Sequence, residues 1–226
     1  MGKLNVLVAA GSTSEKIDDV RVMTNISSGK LGAMIADKFI EAGHEVNYVA
    51  TKGAVMPSSG HYGSFGYRPV KDVASVMEVM AELVPKSDIV CMPLAVSDFT
   101  FDYEGAIKCG SNSKDAFIEH MRNTIVATPK VIANFRKWNE KAVLVGFKFT
   151  SGKSSGELHA IAMSLKVNNR LDMVLANDKM AMQRAGAHRG VLIMDEWEDK
   201  CNSKEEIAES IFTNAIRKAS SKNKRA

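Results

Sequence analysis

Short apolar runs alternate along the chain with stretches in which apolar residues recur every three or four positions. Leu4–Ala10 reads as a buried strand. Leu31, Met34, Ile35, Phe39 and Ala42 then share one helical face, closed by Gly43 as a left-handed cap. Glu45–Ala50 and the weaker Phe65–Val70 read as strands, and Asp72 caps a helix through Leu83 that stops near Pro85. Asp88–Pro93, Ala142–Phe149 and Asp172–Ala176 are further strands, with a helix at Leu158–Val167 between the last two. Val191–Met194 is a short late strand, and Ser203 caps a final helix through Lys218. This alternation predicts an α/β fold, a doubly wound and mostly parallel sheet with helices on both faces. Residues 99–127 break the rhythm, being mixed, polar and too long for a plain βα connection. They predict an excursion from the carboxyl edge of the sheet, placed to cover a ligand or meet a partner subunit. Residues 52–64, with Gly53, Pro57, Gly60 and Gly63, read as a flexible loop. No internal repeat or second domain is legible, so residues 1–226 are taken as one domain.

A chain of 226 residues can bury roughly 70% of its unfolded surface. With 45% hydrophobic and 25% charged residues it falls outside the disordered and fibrous classes. The net charge of +4 is mild, and part of it lies in Arg217, Lys218, Lys222, Lys224 and Arg225. These read as a basic, frayed tail at about 219–226, and no nucleic-acid partner is expected. Cys91, Cys109 and Cys201 are odd in number and widely spaced, which predicts reduced thiols and no structural metal. No signal peptide precedes the first strand, and no apolar stretch approaches the ~20 residues that span a bilayer. A cytoplasmic protein without a membrane partner is the expectation.

The chemistry concentrates between Val6 and Lys30. A strand runs into Gly11-Ser12-Thr13-Ser14, and a second small-residue cluster, Ser27-Ser28-Gly29-Lys30, opens the next helix. Convergent backbone N–H groups and a helix N-terminus suit phosphate, so the chain reads as a nucleotide-handling protein. The dinucleotide fingerprint is incomplete, because only Gly11 is present in the turn and the second strand ends Ala50-Thr51 instead of on an acid. That argues against an NAD(P)-dependent oxidoreductase. A Walker A sequence is absent, and the pairs Tyr48/Lys52 and Tyr67/Lys71 do not sit on helices. Leu94–Phe99 and Ala176-Asn177-Asp178 put polar groups at carboxyl strand ends, where open sheets bind ligands, although Asp98 and Asn177-Asp178 serve equally as turn residues. Thr128 reads as an N-cap with Pro129 at the first position of a helix toward Trp138. Phe147 reads either as a platform for a base or as a core aromatic.

Six blocks in order, GSTSEKIDDVR, TNISSGK, AVSDF, ATPKVI, VGFK and LDMVLAND, resemble the phosphopantothenoylcysteine synthetase (phosphopantothenate–cysteine ligase) family across about residues 4–180. The resemblance is to the stand-alone bacterial form, and it implies a Rossmann-like fold, a homodimer, and an excursion used for dimerisation and active-site cover. It also implies a reaction in coenzyme A biosynthesis. The carboxylate of 4′-phosphopantothenate attacks the α-phosphate of a nucleoside triphosphate, giving an acyl-nucleotidylate and pyrophosphate. The amine of L-cysteine then displaces the nucleotide. CTP is the implied nucleotide, with ATP the alternative, and Mg²⁺ the implied ion; its ligands are not assigned. A non-catalytic nucleotide sensor of the same fold is the remaining rival.

Matched block by block, the resemblance places Gly11, Ser12 and Thr13 along the phosphates and makes Ser27, Ser28 and Gly29 the second anion-binding loop. Asn25 corresponds to the residue that supports the acyl intermediate. Ala95 and Asp98 fall in the block that handles pantothenate and nucleotide. Thr128, Pro129, Lys130 and Val131 form the helix start beside the nucleotide, and Phe147 and Asn177 frame the base. Lys108 has the spacing of the flexible-loop lysine, with Lys114 as the alternative. Lys166 and Arg170 match loosely a basic pattern before the sixth strand. Two departures are visible: Ser12 stands for a family glycine and Leu94 for a family alanine.

Overall fold

The computed structural model describes residues 2–59, 65–102 and 114–223. β1 (Asn5–Ala10) is buried at every position after Asn5, as a strand covered on both faces must be. A small hairpin follows, β2 (Ser14–Lys16) and β3 (Val22–Thr24), then α1 (Lys30–Glu41), β4 (Glu45–Thr51), β5 (Phe65–Val70) and α2 (Val73–Leu83). β6 (Ile89–Cys91) leads to β7 (Phe99–Phe101), α3 (Lys114–Thr124) and β8 (Ile125–Ala127). The chain continues through α4 (Phe135–Trp138), β9 (Val143–Thr150), α5 (Ser155–Asn168), β10 (Met173–Asp178) and α6 (Lys179–Ala185). It ends with β11 (Gly190–Ile193), β12 (Glu198–Cys201) and α7 (Lys204–Asn223).

Eight strands form one sheet in the order β12-β11-β10-β9-β6-β1-β4-β5. β10, β9, β6, β1, β4 and β5 are parallel, and β11 and β12 turn back antiparallel at one edge. The fold is thus the expected Rossmann-like α/β sheet. One face packs on α1 and α7, where Phe39 and Phe212 meet edge to face at 5.1 Å. The other packs on α2, α4 and α5. Strand order reverses between β1 and β6, so a crevice opens at their carboxyl ends.

Caps behave as their side chains dictate. Asp72 and Ser75 close a capping box on α2, Ser154 and Glu157 another on α5, and Ser203 accepts from the Glu206 N–H on α7. Thr128 is different. Its hydroxyl donates to Ser97 O at 2.6 Å and caps nothing, and the expected helix toward Trp138 is a 3₁₀ turn, Val131–Asn134, followed by the single turn α4. The final helix runs five residues past Lys218, because Lys222 is held by Ala142 O and Asp172 at 2.9 Å. Up to that point the expected frayed tail is docked. The excursion contains two paired strands, β7 and β8, and α3; Lys108 and Cys109 lie outside the described residues. Cys91 is a buried thiol, pushed above its ordinary pKa by burial. Among the described residues no helix is long and apolar enough to cross a membrane.

Candidate functional site

The floor of the crevice is a seam between two loops. Gly11 has φ +93°, and a Cβ there would stand 2.1 Å from Thr51 Oγ1, so the close approach admits only glycine. Ser12 donates its N–H to that same hydroxyl at 3.1 Å. Ala95 donates to Gly11 O and accepts from Thr13 N, a one-residue parallel bridge that extends the sheet beyond β1. Thr13 is fully buried; its hydroxyl accepts from Ser97 N at 2.9 Å and its carbonyl accepts from Thr24 Oγ1 at 2.8 Å. Thr13 therefore fastens the seam: its N–H is spent on Ala95 O and its side chain is fully buried and does not line the cleft, a correction to the sequence expectation.

The GSTSEKIDDVR block is largely scaffold. Glu15, buried, accepts from the first N–H of α2 at 2.9 Å, and Asp18 accepts from Val20 N and Arg21 N to turn the hairpin. Its product is the placement of Asn25, which is exposed and donates to Val96 O at 3.2 Å.

Above the seam, Ser27, Ser28 and Gly29 lead into α1. Gly29 (φ +72°) packs against Ala54 and the Gly11 N–H, with 3.0 Å and 3.1 Å to an added Cβ. No side chain caps α1, and its first turn carries no acid, so its free N–H groups and partial positive charge face the crevice. Ser27 and Ser28 accept only at a long 3.4 Å, leaving their hydroxyls available.

The crevice deepens into a cleft of about 320 Å³. Ser27–Gly32 and Pro93–Ala95 line one side; Phe147, Phe149, Leu175 and Asn177 from the ends of β9 and β10 line the other, with Met182, His188 and Lys204. Neither Lys30 nor Lys204 has an ion-pair partner among the described residues. Asp178 is buried, accepting from Thr150 Oγ1 (2.9 Å), Lys153 N (3.0 Å) and Ala181 N (3.0 Å). The Lys153 N–H leads the bonds that hold its carboxyl far below the carboxylate range. It ties β9, β10 and α6 together beneath Asn177. Among the described residues no group of three or more His, Cys, Asp or Glu could hold a metal ion.

Of the residues singled out in the sequence, Ser27, Ser28, Gly29, Ala95, Phe147 and Asn177 line this cleft, and Gly11 and Ser12 lie in the seam at its floor. Asp98 and Lys130 pair with each other at the exposed rim, beside Pro129. Val131 is core, 3% exposed on the opposite face of the sheet. Thr128 is buried in the seam. Lys166 and Arg170 are misplaced by the sequence reading: they precede β10 and so sit at its amino end, away from the cleft. There Lys166 pairs with Asp195 and Arg170 with Glu140. Lys114 is exposed at the start of α3 and is not a cleft residue. Lys30, Phe149, Met182, His188 and Lys204 were missed. Lys30 closes the SSGK block and Lys204 follows a legible cap, but nothing local marks the other three.

The chain matches the DNA/pantothenate metabolism flavoprotein C-terminal domain family over residues 1–218. It is 30% identical over 209 residues to the coenzyme A biosynthesis bifunctional protein CoaBC of Methanocaldococcus jannaschii, covering 91% of this chain and 49% of the relative. The protein of that name from Thermococcus kodakarensis is 34% identical over 173 residues, covering 76% and 40%. The chain thus spans half or less of the length of these curated relatives. Among solved structures, the DNA/pantothenate metabolism flavoprotein from Streptococcus pneumoniae superposes with a TM-score of 0.81 at 28% identity, covering 95% of this chain and 99% of that one. The fold, the order of the motif blocks and this match agree: the chain belongs to the DNA/pantothenate metabolism flavoprotein C-terminal domain family.

Proposed function

We propose that the protein is a phosphopantothenate–cysteine ligase of coenzyme A biosynthesis that works through an acyl-cytidylate, with ATP as the alternative nucleotide. The observation that carries this is the convergence in one cleft of Ser27–Gly29, Ala95, Phe147 and Asn177, residues spread over 150 positions of a family known for pantothenate metabolism. The names of the curated relatives, coenzyme A biosynthesis bifunctional proteins, support the same pathway.

A carboxylate is a poor acylating agent until its oxygen joins a mixed anhydride. Bringing phosphopantothenate and a triphosphate together means apposing anions, which requires fixed donors. The amides opening α1, the Ser27 and Ser28 hydroxyls, Lys30 and Lys204 supply them on this chain. Phe147 and Phe149 offer faces for the base. Asn25, an uncharged donor on the hairpin, is suited to stabilise oxyanion charge at the acyl carbon as the cysteine amine attacks. The loop lysine is assigned to Lys108, with Lys114 as the alternative. The described residues offer no cage for a bare metal ion, so a Mg²⁺ would arrive on the triphosphate and be held mainly by its phosphate oxygens. Bound so, it would neutralise phosphate charge.

We assign the excursion and hairpin to a homodimer interface. Val20, Val22, Ile26, Phe99, Ile118, Ile125 and Val126 are all large apolar side chains left exposed on these elements.

Pyrophosphate release from purified protein with Mg²⁺, 4′-phosphopantothenate and cysteine, supplying CTP or ATP, tests the reading. Release that requires phosphopantothenate is expected with CTP; release with ATP alone would reassign the nucleotide, and silence with both would overturn the ligase. Asn25→Asp is expected to lower amide formation by about 10²-fold while the acyl intermediate still forms. Undiminished turnover would remove Asn25 from its role.

A further inference from the structure

One polar group in the cleft wall, His188, lies outside every motif block and meets one that lies inside. Asn177, one residue before the carboxyl end of β10, is half-buried, and its carboxamide nitrogen has two partners: His188 Nε2 at 3.5 Å and Met182 Sδ at 3.9 Å. Its Oδ1 accepts no hydrogen bond from any described residue. His188 comes from the turn after Gly186, whose φ of +60° ends α6 and returns the chain to β11. Burial, and then the Lys204 ammonium, push the imidazole below its ordinary pKa, so the neutral ring faces Asn177. A neutral imidazole has one acceptor nitrogen. With Nε2 as that acceptor, the Asn177 NH₂ is turned to the protein and Oδ1 to the cleft. An amide's two ends are nearly the same size, so the partner of its nitrogen decides which one a ligand meets. An acceptor beside the rings of Phe147 and Phe149 reads the donor edge of a planar base.

We propose that His188 is a positioning residue for nucleobase choice: by fixing the Asn177 carboxamide it presents an acceptor that selects a base bearing an exocyclic amino group, cytosine or adenine, over the carbonyl counterpart, uracil or hypoxanthine. The inference rests on the nucleotide reading of this cleft and not on the ligase chemistry. Reversed, the amide would aim NH₂ at the exocyclic amino group and disfavour it, because a buried donor facing a donor leaves both unpaired.

The experiment measures dissociation constants of Mg·CTP and Mg·UTP, and of Mg·ATP and Mg·ITP, by calorimetry on the full chain, without phosphopantothenate or cysteine. The same nucleotides are then compared in pyrophosphate release. The wild-type protein is expected to prefer the amino base of the favoured pair by tenfold or more. His188→Leu, which keeps bulk without an acceptor, should bring that ratio to within about threefold of unity, with the loss falling mainly on KM. His188→Gln, whose side-chain oxygen can replace Nε2 as acceptor, should restore most of it. A purely structural role would lower the melting temperature of both variants and leave the ratio alone. Equal affinity for amino and carbonyl bases in the wild type, an unchanged ratio in His188→Leu, or no rescue by His188→Gln overturns the inference. Discrimination in binding without turnover would sink the ligase while leaving the inference standing; turnover with a ratio indifferent to His188 would do the reverse.

Discussion

The two edges of the central sheet use charge in opposite ways. At the amino edge, Arg136 and Asp172, each about 8% exposed, form the centre of a network that Lys222, Lys218, Asp195 and Lys166 extend. Arg136 also donates to the carbonyls of Arg170, Glu140 and Ala142. A cleft of about 530 Å³ opens there, larger than the one at the carboxyl edge, yet its charges are spent on one another. At the carboxyl edge the cleft is smaller, but Lys30 and Lys204 have no ion-pair partner among the described residues, and no side chain caps α1. The difference teaches that volume does not locate a site; unspent donors do. Paired charges hold α7 and the β9–β10 connection to the sheet, whereas unpaired ones await an anion.

The sharpest way to break this contrast is Asp172→Ala. It strands Arg136 and Lys222 in a partly desolvated place and should cost about 3–5 kcal/mol in denaturant unfolding. Nucleotide affinity of the protein that remains folded should not change; a weaker affinity would join the two edges functionally. Gly11→Ala acts at the other edge on fold and ligand together. Its positive φ alone costs about 1–3 kcal/mol, and the contact with Thr51 Oγ1 displaces the seam, so melting temperature and nucleotide affinity should fall together. Lys30→Ala and Lys204→Ala should change stability by no more than about 0.5 kcal/mol. Each should still weaken triphosphate binding severalfold, and more so at low salt than at high. Arg170→Ala, at an exposed ion pair, should cost less than about 1 kcal/mol and leave nucleotide affinity intact.

The smallest expected effect is one of pH. His44 accepts the Leu4 N–H at Nδ1 (3.3 Å), and burial lowers its pKa from 6.5. A histidine whose folded pKa is depressed stabilises the fold above its unfolded pKa, and that contribution fades as the pH falls through the folded value. Unfolding of His44→Gln should therefore differ most from wild type above pH 6.5 and converge with it in acid. A constant difference across that range would assign the stabilisation to packing.

Much of the fold was legible because it depends on local period. β1, β4, β9 and β10 are buried parallel strands and appear as apolar runs, while α1 and α2 show helical spacing, α1 stopped by Gly43 and α2 opened by the Asp72 cap. The β2–β3 hairpin was not legible: three-residue strands rich in Ser, Glu and Lys carry no period, and Glu15 and Asp18 act through backbone groups. β12, with Glu198 and Asp199, and the short α6 hid for the same reason. The motif blocks located Gly11, the Ser27–Gly29 loop, Phe147 and Asn177. They could not tell a phosphate ligand from a seam, so Thr13 and Thr128 were given to the nucleotide although both are consumed by Ala95, Ser97 and Asp98.

By itself, then, the sequence determined the sheet, the two small-residue loops and the family, since apolar period, glycine at positive φ and ordered motifs are properties of contiguous residues. Only the tertiary structure decided which polar groups remain free. It spent Lys166 and Arg170 at the amino edge and left Lys204 open, and it brought His188 against Asn177. Whether a donor or acceptor is satisfied depends on residues tens to a hundred positions away, and no local pattern encodes that.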